Sequence, residues 1–148
     1  MQENGGLVST GERIRKFRKA RGMTQAQVAK AIGATEGAVR HYEHGDRTPG
    51  PEQIAAIAEV LGVSPAALAD YALEDARDAL EVLFRLEDMA GLHPVDTGDG
   101  MALMVDVDVP GAQKIEYALI AWKSMRDDLA SGVITSDEYE EWRGSFEA

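Results

Sequence analysis

The stretch from Thr24 to Glu43, TQAQVAKAIGATEGAVRHYE, admits few folds, because it carries two helix starts and a helix stop within twenty residues. Thr24 has the side chain of an N-cap, and Gln27 three residues on completes a capping box, each side chain satisfying a backbone N–H at the helix start. Met23 before the cap and Val28 behind it form a hydrophobic staple. Val28, Ala29 and Ile32 give one apolar face, and Gly33 ends the helix because glycine takes the left-handed C-cap conformation at no steric cost. Thr35 then caps a second helix whose inward positions are Ala38, Val39 and Tyr42. Two short helices joined by a three- or four-residue turn containing glycine have the spacing of a helix-turn-helix, which sets its second helix against a DNA major groove.

At 148 residues the chain has room for one domain or two small ones, and either arrangement can bury a core. Its apolar fraction of 45% and charged fraction of 28% are those of a soluble globular protein. The absence of cysteine excludes disulfides and thiolate metal sites. The opening MQENGGLVSTGERIRKF has no apolar run of the signal-peptide kind, and no stretch approaches the roughly 20 apolar residues that span a bilayer. A soluble cytoplasmic protein with no membrane partner is expected.

The net charge of −11 looks wrong for a nucleic-acid binder until the chain is divided. Through Ala69, nine Lys and Arg stand against seven Asp and Glu, a net of +2; from Asp70 on, six stand against nineteen, a net of −13. Only the first half can lie against phosphates, and DNA would repel the second.

Residues 1–10 are expected to form a flexible N-terminal tail. Ser9 and Glu12 make a further capping box, opening a helix from about Gly11 to Arg21 with Ile14 and Phe17 inward. Arg13, Arg15, Lys16, Lys19 and Arg21 give that helix a basic exterior. After the central pair, the loop HGDRTPGP is dense in turn residues. Pro51 suits the first turn of a helix with Ile54, Ile57, Ala58 and Leu61 on one face and Gly62 at its end. Ser64 caps a short fifth helix with Pro65 at its first position.

The run GERIRKFRKARGMTQAQVAKAIGATEGAVRHYEHGDRTPGPEQIAAIAEVLGVSPAAL resembles the phage-repressor/Cro type of helix-turn-helix, the XRE family. The likeness covers about residues 11–69 and rests on several pieces in order: an Arg-rich first helix, Gly-Met-Thr-Gln, Val-Ala, Ile-Gly, then Tyr-Glu-x-Gly-x-Arg-x-Pro. It implies a five-helix fold that binds double-stranded DNA, usually as a dimer. Carried over by position, it implies phosphate contacts from Gln25 and Thr35, and groove-facing places for Glu36, Gly37, Arg40 and His41. Arg47, with the loop around Gly45, would reach the backbone on the other side. Arg18 and Glu43 match a pair that in relatives forms an interior salt bridge. The chain departs from its relatives at Glu36 and Gly37, where Gln, Ser, Asn or Arg are common. Glutamate accepts from cytosine N4 but meets phosphate repulsion, and glycine reads nothing, so base reading falls on Arg40 and His41.

From Asp70 to Ala90 a longer helical pattern carries Ala76, Leu80, Leu83, Phe84 and Met89 as a wide apolar stripe, stopped by Gly91. A hairpin follows, His93 to Thr97 and then MALMVDVDV about a Gly98-Asp99-Gly100 turn, with Leu103, Val105, Val107 and Val109 on one face. A helix from about Ala112 to Ser131 carries Ile115, Leu119, Trp122, Met125 and Leu129 at helical spacing. Thr135 and Glu138 make a last capping box, opening a short helix through Trp142. A two-stranded hairpin is marginal alone and needs the two amphipathic helices to cover it. Residues 70–148 are therefore expected to form an acidic α+β dimerisation or regulatory domain, in which pairing with a second copy extends the sheet.

Other chemistry finds little support. His41 and His44 at i, i+3 have no cysteine or obvious third ligand with which to hold a metal. Asp96, Asp99, Asp106 and Asp108 do not follow calcium-loop spacing and read as a solvated strand face. Phe84, Trp122, Met125, Tyr139 and Trp142 read as core or dimer contacts. There is no HExxH, no phosphate-cradling glycine loop and no GxSxG, so neither an enzyme nor a cofactor is implied. The expected fold is mainly α, and α+β overall: a five-helix DNA-binding domain, then helix, hairpin, helix and short helix. The expected function is a dimeric, sequence-specific transcriptional regulator, with repression the expected direction. The competing reading is a protein-interaction module, an antitoxin or adaptor using its acidic half, and an unknown protein or small-molecule effector stays open.

Overall fold

The computed structural model describes residues 8–71, 73 and 75–147; the part of the expected tail that precedes Val8 lies outside them. The chain forms two compact units, and they do not follow the charge boundary at Asp70. One unit joins the first five helices to Ile134–Glu147, and the other runs from Leu73 to Val133.

The first unit contains α1 (Thr10–Ala20), α2 (Gln25–Ala31), α3 (Glu36–His44), α4 (Pro51–Leu61) and α5 (Pro65–Leu68). Capping chemistry sets its helix starts. Ser9 caps α1 in a complete box with Glu12, so the domain begins in residues expected as tail. Thr24 does the same for α2 with Gln27, Thr35 accepts from the Ala38 N–H at the start of α3, and Ser64 accepts from the Ala67 N–H in α5. Ile14, Val28, Val39, Ile57, Leu61 and Leu68, from all five helices, are fully buried in one core with Phe17, Tyr42 and Val63. Gly11 lies where α1 crosses α3, and a Cβ there would fall on the carbonyl oxygen of Tyr42.

The last helix, α8 (Ser136–Ser145), belongs with this unit and not with the acidic one, which corrects the expected domain 70–148. The packing reason is plain. Gly144 lies flat against Phe17 and Val63, where a Cβ would come within 2.5 Å of the Phe17 ring, and its carbonyl accepts from the Ser64 N–H at 2.8 Å. Glu140 meets Lys16 at 2.8 Å, and Glu141 meets Arg21 at 2.7 Å. Tyr139 and Trp142, expected with Phe84 and Trp122, instead stack on one another along α8 with ring centroids 6.1 Å apart.

The second unit contains α6 (Ala76–Ala90), strands β1 (Leu92–Asp96) and β2 (Met101–Val105), and α7 (Ala112–Ala130). The strands form one antiparallel hairpin, with Leu92 opposite Val105 and Asp96 opposite Met101. α6 begins later than Asp70 because Asp75 accepts from the N–H groups of Arg77 and Asp78 and fixes the N-terminus there. β2 stops at Val105, short of Val107 and Val109. Asp106 turns the chain by accepting from the Asp108 N–H, and the Val109 N–H then donates to the Asp106 carbonyl. Apolar burial in this unit is slight. Among its described residues Ala90, Leu92 and Ala112 are the buried hydrophobic ones, and the expected stripe is open, with Leu80, Phe84 and Met89 exposed.

Gly11→Ala is expected to lower unfolding stability by about 1–3 kcal/mol, the scale of overpacking a closed contact, because α1 and α3 must separate to admit a methyl group against backbone. Chemical denaturation of wild type and variant measures it.

Candidate nucleic-acid interface

The position of α3 is set from inside the first unit. Val39 and Tyr42 anchor it in the core, and Glu43 beside them is a buried carboxylate. Arg18 of α1 answers it in a two-pronged pair, Nε donating to Oε1 and Nη2 to Oε2, the latter at 2.9 Å, and its Nη1 donates to the Met23 carbonyl at 2.8 Å. Gln25, at the start of α2, donates to the same carboxylate at 2.8 Å. One buried carboxylate thus joins α1, the α1–α2 turn, α2 and α3. Burial on its own pushes the Glu43 carboxyl up, but the hydrogen bonds from Arg18 and Gln25 and the charges of Arg18 and Arg15 hold it below the ordinary carboxylate value.

On the outer side of α3, Glu36, Arg40 and His41 are exposed and Gly37 is half-buried. Gly37 has helical geometry and open space, with the Thr35 hydroxyl 3.9 Å from a would-be Cβ, so neither backbone strain nor packing calls for glycine there. A glycine inside a helix costs roughly 1 kcal/mol against alanine, and here it leaves the helix surface bare. His41 Nδ1 lies 3.1 Å from Asp46 Oδ2. A carboxylate only accepts, so Nδ1 carries the proton and, in the neutral ring, Nε2 is an acceptor. Arg47 is exposed, its guanidinium 5.9 Å from the centre of the Tyr42 ring, and its backbone N–H donates to the His41 carbonyl.

The expected site residues therefore divide. Glu36, Gly37, Arg40, His41 and Arg47 lie along the outside of α3 and its following loop; Thr35 is tied into its cap and Gln25 shares its amide with Glu43. The basic exterior expected of α1 is largely engaged within the unit. Arg13 donates to the Val8 carbonyl, Arg21 to the Leu61 carbonyl, and Lys16 and Arg21 pair with α8. The engagement with α8 is not legible in the sequence, because no local pattern announces a helix that returns to a distant partner. Sequence reasoning also misses Asp46 as the partner of His41, though a carboxylate five residues beyond a helical histidine, across a tight turn, is within reach.

A helix-turn-helix family pattern matches residues 14–68. The chain is 42% identical over 59 residues to the uncharacterised HTH-type transcriptional regulator YazB of Bacillus subtilis, covering 40% of this chain and 86% of that protein. The chain belongs to the XRE-type helix-turn-helix family. A second helix-turn-helix relative, the uncharacterised regulator y4aM of Sinorhizobium fredii, is 35% identical over 71 residues, 48% of this chain and 47% of that protein. Among solved structures, the P22 c2 repressor in complex with synthetic operator 9T is similar at 31% identity, over 43% of this chain and 97% of that one, with a TM-score of 0.42. Each of these helix-turn-helix likenesses covers under half of the chain.

Arg18→Ala is expected to cost about 3–5 kcal/mol of stability, because it leaves the Glu43 carboxylate buried and unpaired. The pair also predicts an acid limb. The lowered carboxyl contributes stability in full above its unfolded value of about 4.3, and that stability is lost as pH falls through the lower folded value. Denaturation curves across about pH 2–6 should show this limb in the wild type and a flatter one in Glu43→Gln.

Proposed function

We propose that this protein is a sequence-specific transcriptional regulator, acting as a repressor, that binds double-stranded DNA as a dimer with α3 in the major groove. The single observation that carries the reading is the outer surface of α3. A helix fixed from within by a buried ion-pair network turns Arg40 and His41 outward, on a domain whose relatives are named transcriptional regulators.

The chemistry of the face suggests how bases are read. Arg40 is the residue for a two-pronged contact to guanine O6 and N7. His41, with Nδ1 donating to Asp46, offers Nε2 as an acceptor and so suits the amino group of adenine or cytosine. Glu36 accepts from cytosine N4. Gly37 allows the helix to approach the groove floor closely. Gln25, Thr35 and Arg47 serve the phosphates, with the α8 carboxylates withdrawing Lys16 and Arg21 from that task. With those two cations neutralised, fewer counterions are released on binding, and the salt dependence is shallow for a regulator of this kind.

Dimerisation belongs to residues 73–133 in this reading, supported by the scale of their open apolar surface. Two-fold symmetry would set two α3 helices about 34–36 Å apart, one turn of B-DNA. Binding DNA places the protein in the cytoplasm and gives it a binding role, not a catalytic one; no helix among the described residues is long and apolar enough to cross a membrane. The acidic, apolar second unit also suits the protein-interaction reading, and the two differ in whether isolated protein selects a duplex.

Arg40→Ala is expected to remove discrimination among duplexes by about 1–3 kcal/mol at its base pair while leaving the unfolding curve unchanged. Competition binding at fixed salt, with paired duplexes differing at one position, measures it; an unchanged preference would contradict the assignment of α3.

A further inference from the structure

We propose that the free edge of β2 is the seam of the dimer, where β2 of one copy pairs antiparallel with β2 of a second copy to make a four-stranded sheet. The inference rests on the dimeric reading above and adds the surface, the register and the residues.

The register decides which edge can pair. The Thr97 N–H donates to the Gly100 carbonyl, and the Asp106 N–H to the Gly91 carbonyl, so these residues form hydrogen-bonded pairs at the two ends of the hairpin. Hydrogen-bonded and non-bonded pairs alternate along an antiparallel ladder. Val95 with Ala102 and His93 with Met104 are then the bonded pairs, and Pro94 with Leu103 is a non-bonded pair. The backbone groups of Pro94 point to the outer edge of β1, those of Leu103 to the outer edge of β2. Proline has no N–H to offer, which blunts the β1 edge in the way natural sheets protect theirs. The β2 edge keeps the outward N–H and C=O groups of Met101, Leu103 and Val105.

That edge suits a copy of itself. A two-fold axis at Leu103 pairs all five residues of the strand: Leu103 with its equivalent, Met101 with Val105, Ala102 with Met104. Every one is apolar, so no like charges meet across the seam even though residues 73–133 carry thirteen acidic against five basic residues. The strand is also uncovered for its character, with Met101 71%, Met104 54% and Leu103 48% exposed. Twelve of the fourteen exposed large apolar side chains among the described residues lie in this unit. Three of them, Met101, Leu103 and Met104, stand on β2 itself. A unit with so little buried apolar surface of its own gains its stability when such a surface is covered.

Leu103→Pro tests the seam directly. It removes only an outward N–H, sparing the bonds within the hairpin, so the protein should remain folded, with its dimer dissociation constant raised roughly a hundredfold or more by sedimentation equilibrium. Leu103→Cys gives an independent readout in a chain with no other cysteine. Bonded antiparallel partners have Cα atoms about 5.5 Å apart, within disulfide range, so mild oxidation should link two copies. Val133→Cys, at a position 71% exposed in the same unit, should not link. If Leu103→Pro unfolds the unit, the Leu103→Cys result decides alone. A dimer that is indifferent to Leu103→Pro, and that mild oxidation of the Leu103→Cys variant fails to link, overturns the β2 seam and leaves the dimer standing. A wild type that is monomeric at micromolar concentration overturns both.

Discussion

The first unit depends on one buried carboxylate. Glu43 is a charge that α3 must take into the interior to put Arg40 and His41 outside, and it is tolerable there only because Arg18 meets it with two hydrogen bonds and Gln25 with a third. The same contacts fix α1, α2 and α3 relative to one another. A hydrophobic core of this size holds helices together but permits small slides, whereas a two-pronged guanidinium pair specifies a geometry. In the proposed function, where α3 reads bases at hydrogen-bond distances, that precision matters more than the net stability of the pair.

The second unit has the opposite character. It buries little, exposes much apolar surface, and leaves an unpaired edge open on β2 and blunted by Pro94 on β1. Acidity is spread along it, thirteen acidic against five basic residues over 73–133, while β2 itself carries no charge. The chain then returns to the first unit through α8, whose Glu140 and Glu141 occupy two of the α1 cations. Surface pairs of this kind contribute at most about 1 kcal/mol each, so their larger effect is on the field that phosphates meet. In the proposed function, base recognition then falls to a few side chains on α3.

The parts of the fold that are local are legible in the sequence. Thr24 with Gln27, Thr35, Pro51 before a periodic run and Ser64 before Pro65 each satisfy orphan backbone groups at a helix start, and such signals act within a few residues. The interior pair of Arg18 and Glu43 is legible only through likeness to a known family, since the two are twenty-five residues apart. Packing over longer range is not legible at all. Thr135 and Glu138 announce α8 but say nothing of Phe17 and Val63, against which Gly144 lies. Alternation carries the expected strand on to Val109 because Val107 and Val109 fit the period, while the Asp106 turn that ends β2 competes through a side-chain hydrogen bond that periodicity does not register. The stripe of α6 is apolar as its period says, but period alone does not say what covers it, and Leu80, Phe84 and Met89 stay exposed.

Selection of bound duplexes from a random library, on protein of known mass at about 100 mM salt, tests the central claim most directly. The account predicts an inverted repeat whose half-sites lie about one turn of B-DNA apart, each with a guanine and an adenine or cytosine at the positions assigned to Arg40 and His41. Enrichment of no sequence by folded, dimeric protein would contradict it, and would make the outer face of α3 something other than a reader of DNA.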